Sequence, residues 1–170
     1  MSSSPTFSAF EGDRLLKRGT RAEVTLAARS ARGSVLVFDD ATGAQIDFDP
    51  RAQADEVTDE PRGRGRPKLG VVAREVTLLP RHWDWLARQS GGASVALRKL
   101  VEDASRNPKE RARAAANAAY KFMHSIAGDR PGYEEALRAL FADDRTKFEA
   151  QIKSWPADIR AYAVRLAFPE

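Results

Sequence analysis

The sequence predicts an α+β protein, and three observations carry that prediction. Residues 1–50 alternate turn chemistry with short apolar runs around one capped helix, and residues 106–170 carry helical periodicity throughout. Between them, residues 51–70 hold Asp, Glu, Pro, Gly and Arg with almost no large apolar side chain. Such a stretch cannot offset the entropy of ordering by burial, so it reads as an acidic, then basic, linker. Residues 71–105 follow as a strand-helix-helix unit, which gives four segments in all.

In order, Thr6–Phe10 and Arg14–Lys17 flank Glu11-Gly12-Asp13, a turn that predicts a hairpin. Thr20 caps a helix through Glu23 three residues on, with Val24, Leu26, Ala27 and Ala28 as its apolar side and Gly33 as its stop. Ser34–Phe38 is a strand; Asp39–Gly43 is turn chemistry, and Gln45–Phe48 returns as its partner. A further strand is expected at Val72–Leu79, then a helix opened by Pro80 with Trp83, Leu86 and Ala87 on its apolar face. Gly91-Gly92 breaks it, and Ser94 caps a second helix bearing Leu97, Leu100, Val101 and Ala104 at i, i+3, i+4, i+7 spacing. Asn107, Pro108 and Glu110 start a long helix with Ala112, Ala115, Ala119, Phe122, Met123 and Ile126, stopped by Gly128. Three shorter helices are predicted from Tyr133, Leu137, Leu140 and Phe141; from Phe148, Ile152 and Trp155; and from Ile159, Tyr162, Ala163 and Leu166.

Charge is unevenly spread. Residues 1–60 carry 7 basic against 11 acidic side chains, net −4; residues 61–105 carry 9 against 4, net +5; residues 106–170 carry 12 against 9, net +3. A concentrated basic segment suits a polyanion such as nucleic acid, with a solvated surface as the bland reading. The absence of cysteine excludes disulfides, thiol nucleophiles and thiolate metal sites, and fits a reducing cytoplasm. Met1–Pro5 lacks the features of a secretory signal and no stretch is apolar enough to span a bilayer, so no membrane role is expected.

The most informative segment is Arg62-Gly63-Arg64-Gly65-Arg66-Pro67-Lys68. Arginines separated by single glycines can lie along a narrow groove with no Cβ in the way. The segment resembles the AT-hook, a short motif with an Arg-Gly-Arg-Pro centre that binds the minor groove of A·T-rich DNA. That resemblance places Arg64 and Arg66 in the groove, with Arg62 and Lys68 at phosphates. Asp59 and Glu60 depart from the pattern, standing where more positive charge is usual. The competing reading is a basic tether.

Residues 74–104 resemble the ribbon-helix-helix fold of repressors of the Arc, MetJ and CopG type. The resemblance implies a homodimer in which two strands pair antiparallel and enter the major groove. Val76 and Leu78 would face the core, while Ala73, Glu75 and Thr77 would face DNA. Thr77 is thus expected at the DNA face, Arg74 is expected to bind DNA as a basic residue of the same segment, and Ser94, at the second helix's amino end, would lie at a phosphate. Glu75 opposes this reading, because a carboxylate repels phosphates, although it can accept from a cytosine amino group. The same pattern also fits a strand and two helices packed in one domain with no DNA role.

Other candidates carry less chemistry. Asp39, Asp40, Asp47 and Asp49 cluster at a predicted hairpin but match no calcium loop, so turn chemistry is the expected role. His82 and His124 have no companions for catalysis or zinc. Trp83 and Trp85 are expected in core packing before base stacking. Gly91–Ser94 lacks the lysine of a nucleotide-binding loop.

Phe7-Ser8-Ala9-Phe10 with Gly12-Asp13-Arg14-Leu15, Val37–Gly43, and Gly63–Leu69 leading to Ser90–Ser94 resemble a bacterial family catalogued as domain of unknown function 2239. The resemblance covers nearly the whole chain, carries no catalytic residues, and implies one evolved unit. The expectation is therefore a non-enzymatic, cytoplasmic, homodimeric DNA-binding protein, a transcriptional regulator or nucleoid-associated factor, with Arg62, Arg64, Arg66, Lys68, Arg74, Thr77 and Ser94 as its DNA-binding residues. No cofactor, metal or small-molecule substrate is expected. The alternative is a protein-interaction scaffold.

Overall fold

Gly12, at φ +58°, turns the chain between β1 (Phe7–Glu11) and β2 (Arg14–Gly19) as the hairpin chemistry predicts. The computed structural model describes residues 5–47 and 74–169. These residues fall into two units, 5–47 together with 108–169, and 74–107.

In the first unit, β3 (Val35–Asp39) pairs antiparallel with β1, and the two-residue β4 (Gln45–Ile46) pairs with β3, giving the sheet order β2-β1-β3-β4. Register is set by alternation. Ala9 sits opposite Val37 and packs with Val24 on one face, while Phe10, opposite Leu36, joins Phe38 in the core on the other. The helix α1 (Arg21–Arg29) covers the first face through Val24, Thr25 and Ala28. Its capping box is present: the Glu23 amide donates to the Thr20 hydroxyl at 3.4 Å, and the Thr20 amide donates to the Glu23 carboxylate at 2.8 Å. Leu26, expected on the apolar side, is 68% exposed, since it lies two positions beyond Val24 and on the opposite side of the helix. The helix ends at Ser30, ahead of Gly33.

The other face is covered by α4 (Pro108–Ile126) and α7 (Ala157–Ala167), with α5 (Tyr133–Phe141) and α6 (Arg145–Gln151) joining the same core. Asn107, the C-cap of the preceding helix, immediately precedes Pro108, the first residue of α4. The sheet and these helices share one core, whereas the sequence divides residues 1–50 from 106–170. The reason is that Phe10 and Phe38 have no cover of their own: Phe10 meets Phe122 and Tyr162, and Phe38 meets Phe122, with ring centroids 4.9–5.4 Å apart across the sheet-helix boundary. The predicted sets Phe148, Ile152, Trp155 and Ile159, Tyr162, Ala163, Leu166 are all buried, while Ala112 and Phe141 of the carboxy-terminal prediction turn outward.

Two contacts lock this unit. Gly43, at φ +64°, lies so close to α4 that a Cβ there would be driven into the Ala118 carbonyl. At the edge strand β2, the Leu15 amide donates to the Asp158 carboxylate of α7 at 2.8 Å, which occupies part of the exposed edge.

The second unit consists, among described residues, of residues 74–79 without regular structure, α2 (Pro80–Ala87) and α3 (Gly92–Arg106). The strand expected at Val72–Leu79 is not formed within 74–79, because a strand requires a pairing partner and no other strand belongs to this unit's described residues; Val72 and Ala73 lie outside them. Pro80 takes the first helical position as predicted. The glycine break is also present: Gly91, at φ +87°, is the N-cap of α3, so Ser94 stands in the first turn and does not cap.

Candidate nucleic-acid interface

The second unit exposes what its periodicity predicts it should bury. Among its described residues only Leu86 and Ala96 are buried. Trp85 is 50% exposed and Val101 65%, and Val76, Leu79, Trp83 and Leu100 are likewise open to solvent. Two short helices offer one narrow seam to each other, too little to cover both apolar faces. The tryptophans expected in core packing are thus at the surface.

Of the predicted DNA-binding residues, Arg74 and Thr77 lie in the segment before α2, and Ser94 lies in the first turn of α3; all three are at the surface, and the Ser94 carbonyl accepts from Arg98 Nε at 3.1 Å. Arg62, Arg64, Arg66 and Lys68 lie outside the described residues, as do Ala73 and Asp49. The amino ends of the helices differ. That of α1 is capped by Thr20 and carries Glu23 in its first turn; that of α3 has neither a side-chain cap nor an acidic residue in its first turn. Its partial positive charge is left for an anion.

The aspartates resolve into structural roles. Asp39 Oδ1 accepts from the Ala41 and Thr42 amides at 2.9 and 2.8 Å and from the Thr42 hydroxyl at 3.1 Å, the local turn chemistry expected of it. Asp40 is the hub of a polar node that the sequence did not signal. Its Oδ1 accepts from the Ser8 and Tyr162 hydroxyls, each at 2.7 Å, and its Oδ2 from Arg18 Nε at 2.6 Å. Burial works against its ionisation, but the hydrogen bonds from Arg18, Ser8 and Tyr162 outweigh it and hold the carboxyl below its ordinary range. The Tyr162 hydroxyl is pushed far upward, by burial first and then by its hydrogen bond to Asp40. Only spatial neighbourhood reveals this node, since its four members come from β1, β2, the end of β3 and α7. Among the described residues no group of His, Asp or Glu is arranged to hold a metal ion. His124 Nδ1 lies 3.3 Å from the Tyr133 hydroxyl, and its ring stacks on Tyr120.

The fold defines an α+β class: an antiparallel sheet layered between one helix and a helical bundle, with a helical pair as a second unit. The chain belongs to a family described as an uncharacterized protein conserved in bacteria (DUF2239), whose model matches residues 6–167, in agreement with the resemblance read from Phe7–Phe10 with Gly12–Leu15, Val37–Gly43, and Gly63–Leu69 with Ser90–Ser94. No curated protein and no solved structure matches the chain. No helix among the described residues is long and apolar enough to cross a membrane.

Proposed function

We propose that this protein is a homodimeric DNA-binding protein, a transcriptional regulator or nucleoid-associated factor, in which the second unit is the reader and Arg62, Arg64, Arg66 and Lys68 are a minor-groove arm. The observation that carries the reading is the open apolar surface of α2 and α3, with Trp85 and Val101 half or more exposed, preceded by a segment that lacks a strand partner. A second copy supplies both missing parts: a strand to pair with residues 72–79 and a cover for Leu79, Leu100 and Val101. The uncapped amino end of α3, with Ser94 in its first turn, supports a phosphate contact there. The net +5 of residues 61–105 supplies the sequence-independent attraction.

A mobility-shift titration on A·T-rich and G·C-rich duplexes at several salt concentrations tests this. Tighter binding to the A·T-rich duplex, steep loss with salt, and collapse of that preference in Arg64→Ala plus Arg66→Ala support it. No binding at low salt ends it. The same apolar surface also favours a second reading, a scaffold that captures another protein, and partners that survive nuclease treatment of a lysate distinguish that case.

A further inference from the structure

The first unit holds a half-open cleft of about 760 Å³, and Asp40 of the polar node stands at its rim. Its floor is apolar and low: Ala114, Ala115 and Ala118 of α4 face Ala161 and Val164 of α7, with Phe168 at one end. Three guanidinium groups, Arg111 on α4, Arg145 on α6 and Arg165 on α7, stand around it. Arg145 is partly engaged, donating to Glu149 at 2.7 Å and lying over the Phe168 ring. Arg111 and Arg165 have neither an ion pair nor a hydrogen bond among the described residues. Among the described residues the one carboxylate lining it, Asp40, is already matched by Arg18 and by two hydroxyls.

Three arginines from three helices, two of them without a counter-charge among the described residues, over an apolar floor large enough for a small ligand, form a site complementary to an organic anion. Planar guanidinium forks match carboxylate and phosphate oxygens alike, two at a time; three forks around one cleft favour phosphate, which carries more charge and enough oxygens to engage more than one fork. We infer that this cleft binds a compact organic phosphate, its apolar body on the alanine floor and its phosphates among Arg111, Arg145 and Arg165. Composition and periodicity gave no sign of such a ligand. The arginines are dispersed over 55 residues of sequence and meet only in the fold.

Calorimetric titration of the full chain with adenosine diphosphate, pyrophosphate and adenosine tests the inference. Adenosine diphosphate is expected to bind more tightly than pyrophosphate, and adenosine more weakly than either. Arg111→Gln and Arg165→Gln are each expected to weaken it by about tenfold. Both positions are at the surface, so both variants are expected to fold. Ala114→Trp, which fills the cleft and keeps every charge, is expected to abolish binding of adenosine diphosphate. Arg138→Gln, outside the cleft, is expected to leave it unchanged. Absence of binding by both phosphates overturns the inference, as does equal loss in Arg138→Gln. Equal affinity for pyrophosphate and adenosine diphosphate removes the role of the floor and overturns it too. A DNA duplex that displaces adenosine diphosphate from the Arg62→Ala, Arg64→Ala, Arg66→Ala, Lys68→Ala variant identifies a backbone-phosphate surface and also overturns the small-ligand assignment. The titration does not depend on DNA binding by the second unit, so either reading can fail alone.

Discussion

The first unit closes an aromatic core, while the second leaves Trp85, Leu100 and Val101 in the open. Both begin from the same signal, apolar residues at helical spacing, yet only one satisfies it. The first unit has a sheet whose Phe10 and Phe38 need covering and four helices to cover them; the second has two helices and nothing else among its described residues. Periodicity thus says which face wants burial. It does not say whether the burial is supplied by the same chain.

That contrast can be broken most forcefully in the core of the first unit. Phe122→Ala removes the ring that touches Phe10, Phe38 and Tyr162 and is expected to cost about 4 kcal/mol, read by urea unfolding. Gly43→Ala follows. A left-handed backbone adds roughly 1–2 kcal/mol and the collision with the Ala118 carbonyl a similar amount, so a loss of about 3 kcal/mol is expected in the same measurement.

Asp40→Asn sharpens the comparison, because it leaves shape intact and removes a charge that three donors serve. A loss of about 2 kcal/mol is expected near neutral pH. The folded carboxyl is held below its ordinary value, so its contribution is complete above that value and fades as pH falls through the depressed one. The gap between the native chain and Asp40→Asn is therefore expected to stay constant down to about pH 5 and to narrow below about pH 4. A gap that widens in acid contradicts the assignment. The smallest effect on folding is expected in the second unit, where Val101→Ser should change unfolding free energy by under about 0.5 kcal/mol at concentrations where the chain is monomeric. If the proposed dimer forms through this face, sedimentation velocity on the same variant is expected to show weaker self-association than the native chain. Unchanged association would place the second copy elsewhere.

Much of the fold is legible in the sequence where the cause is local. The Glu11-Gly12-Asp13 reversal, the Thr20–Glu23 box, Pro80 at a helix start and the buried set Phe148, Ile152, Trp155 each follow from chemistry within a few residues. What failed depended on distant parts. Residues 72–79 have strand-like alternation, but pairing is a property of two segments. Leu100 and Val101 sit on a proper apolar face whose cover is absent from the described chain. The division between residues 1–50 and 106–170 rests on an intervening change in composition, which cannot show that Phe10 and Tyr162 meet. The polar node around Asp40 and the arginines of the cleft are hidden for the same reason. The expected DNA-binding set rests on motif, and four of its seven members lie outside the described residues.

The bond from the Leu15 amide to Asp158 and the one from Tyr162 to Asp40 span 143 and 122 positions of sequence. On the ribosome, the sheet is complete long before α7 emerges. At ordinary rates of synthesis the delay is roughly ten seconds. During that interval the Phe10 and Phe38 rings lack first Phe122 and then Tyr162, the partners that cover them in the finished fold.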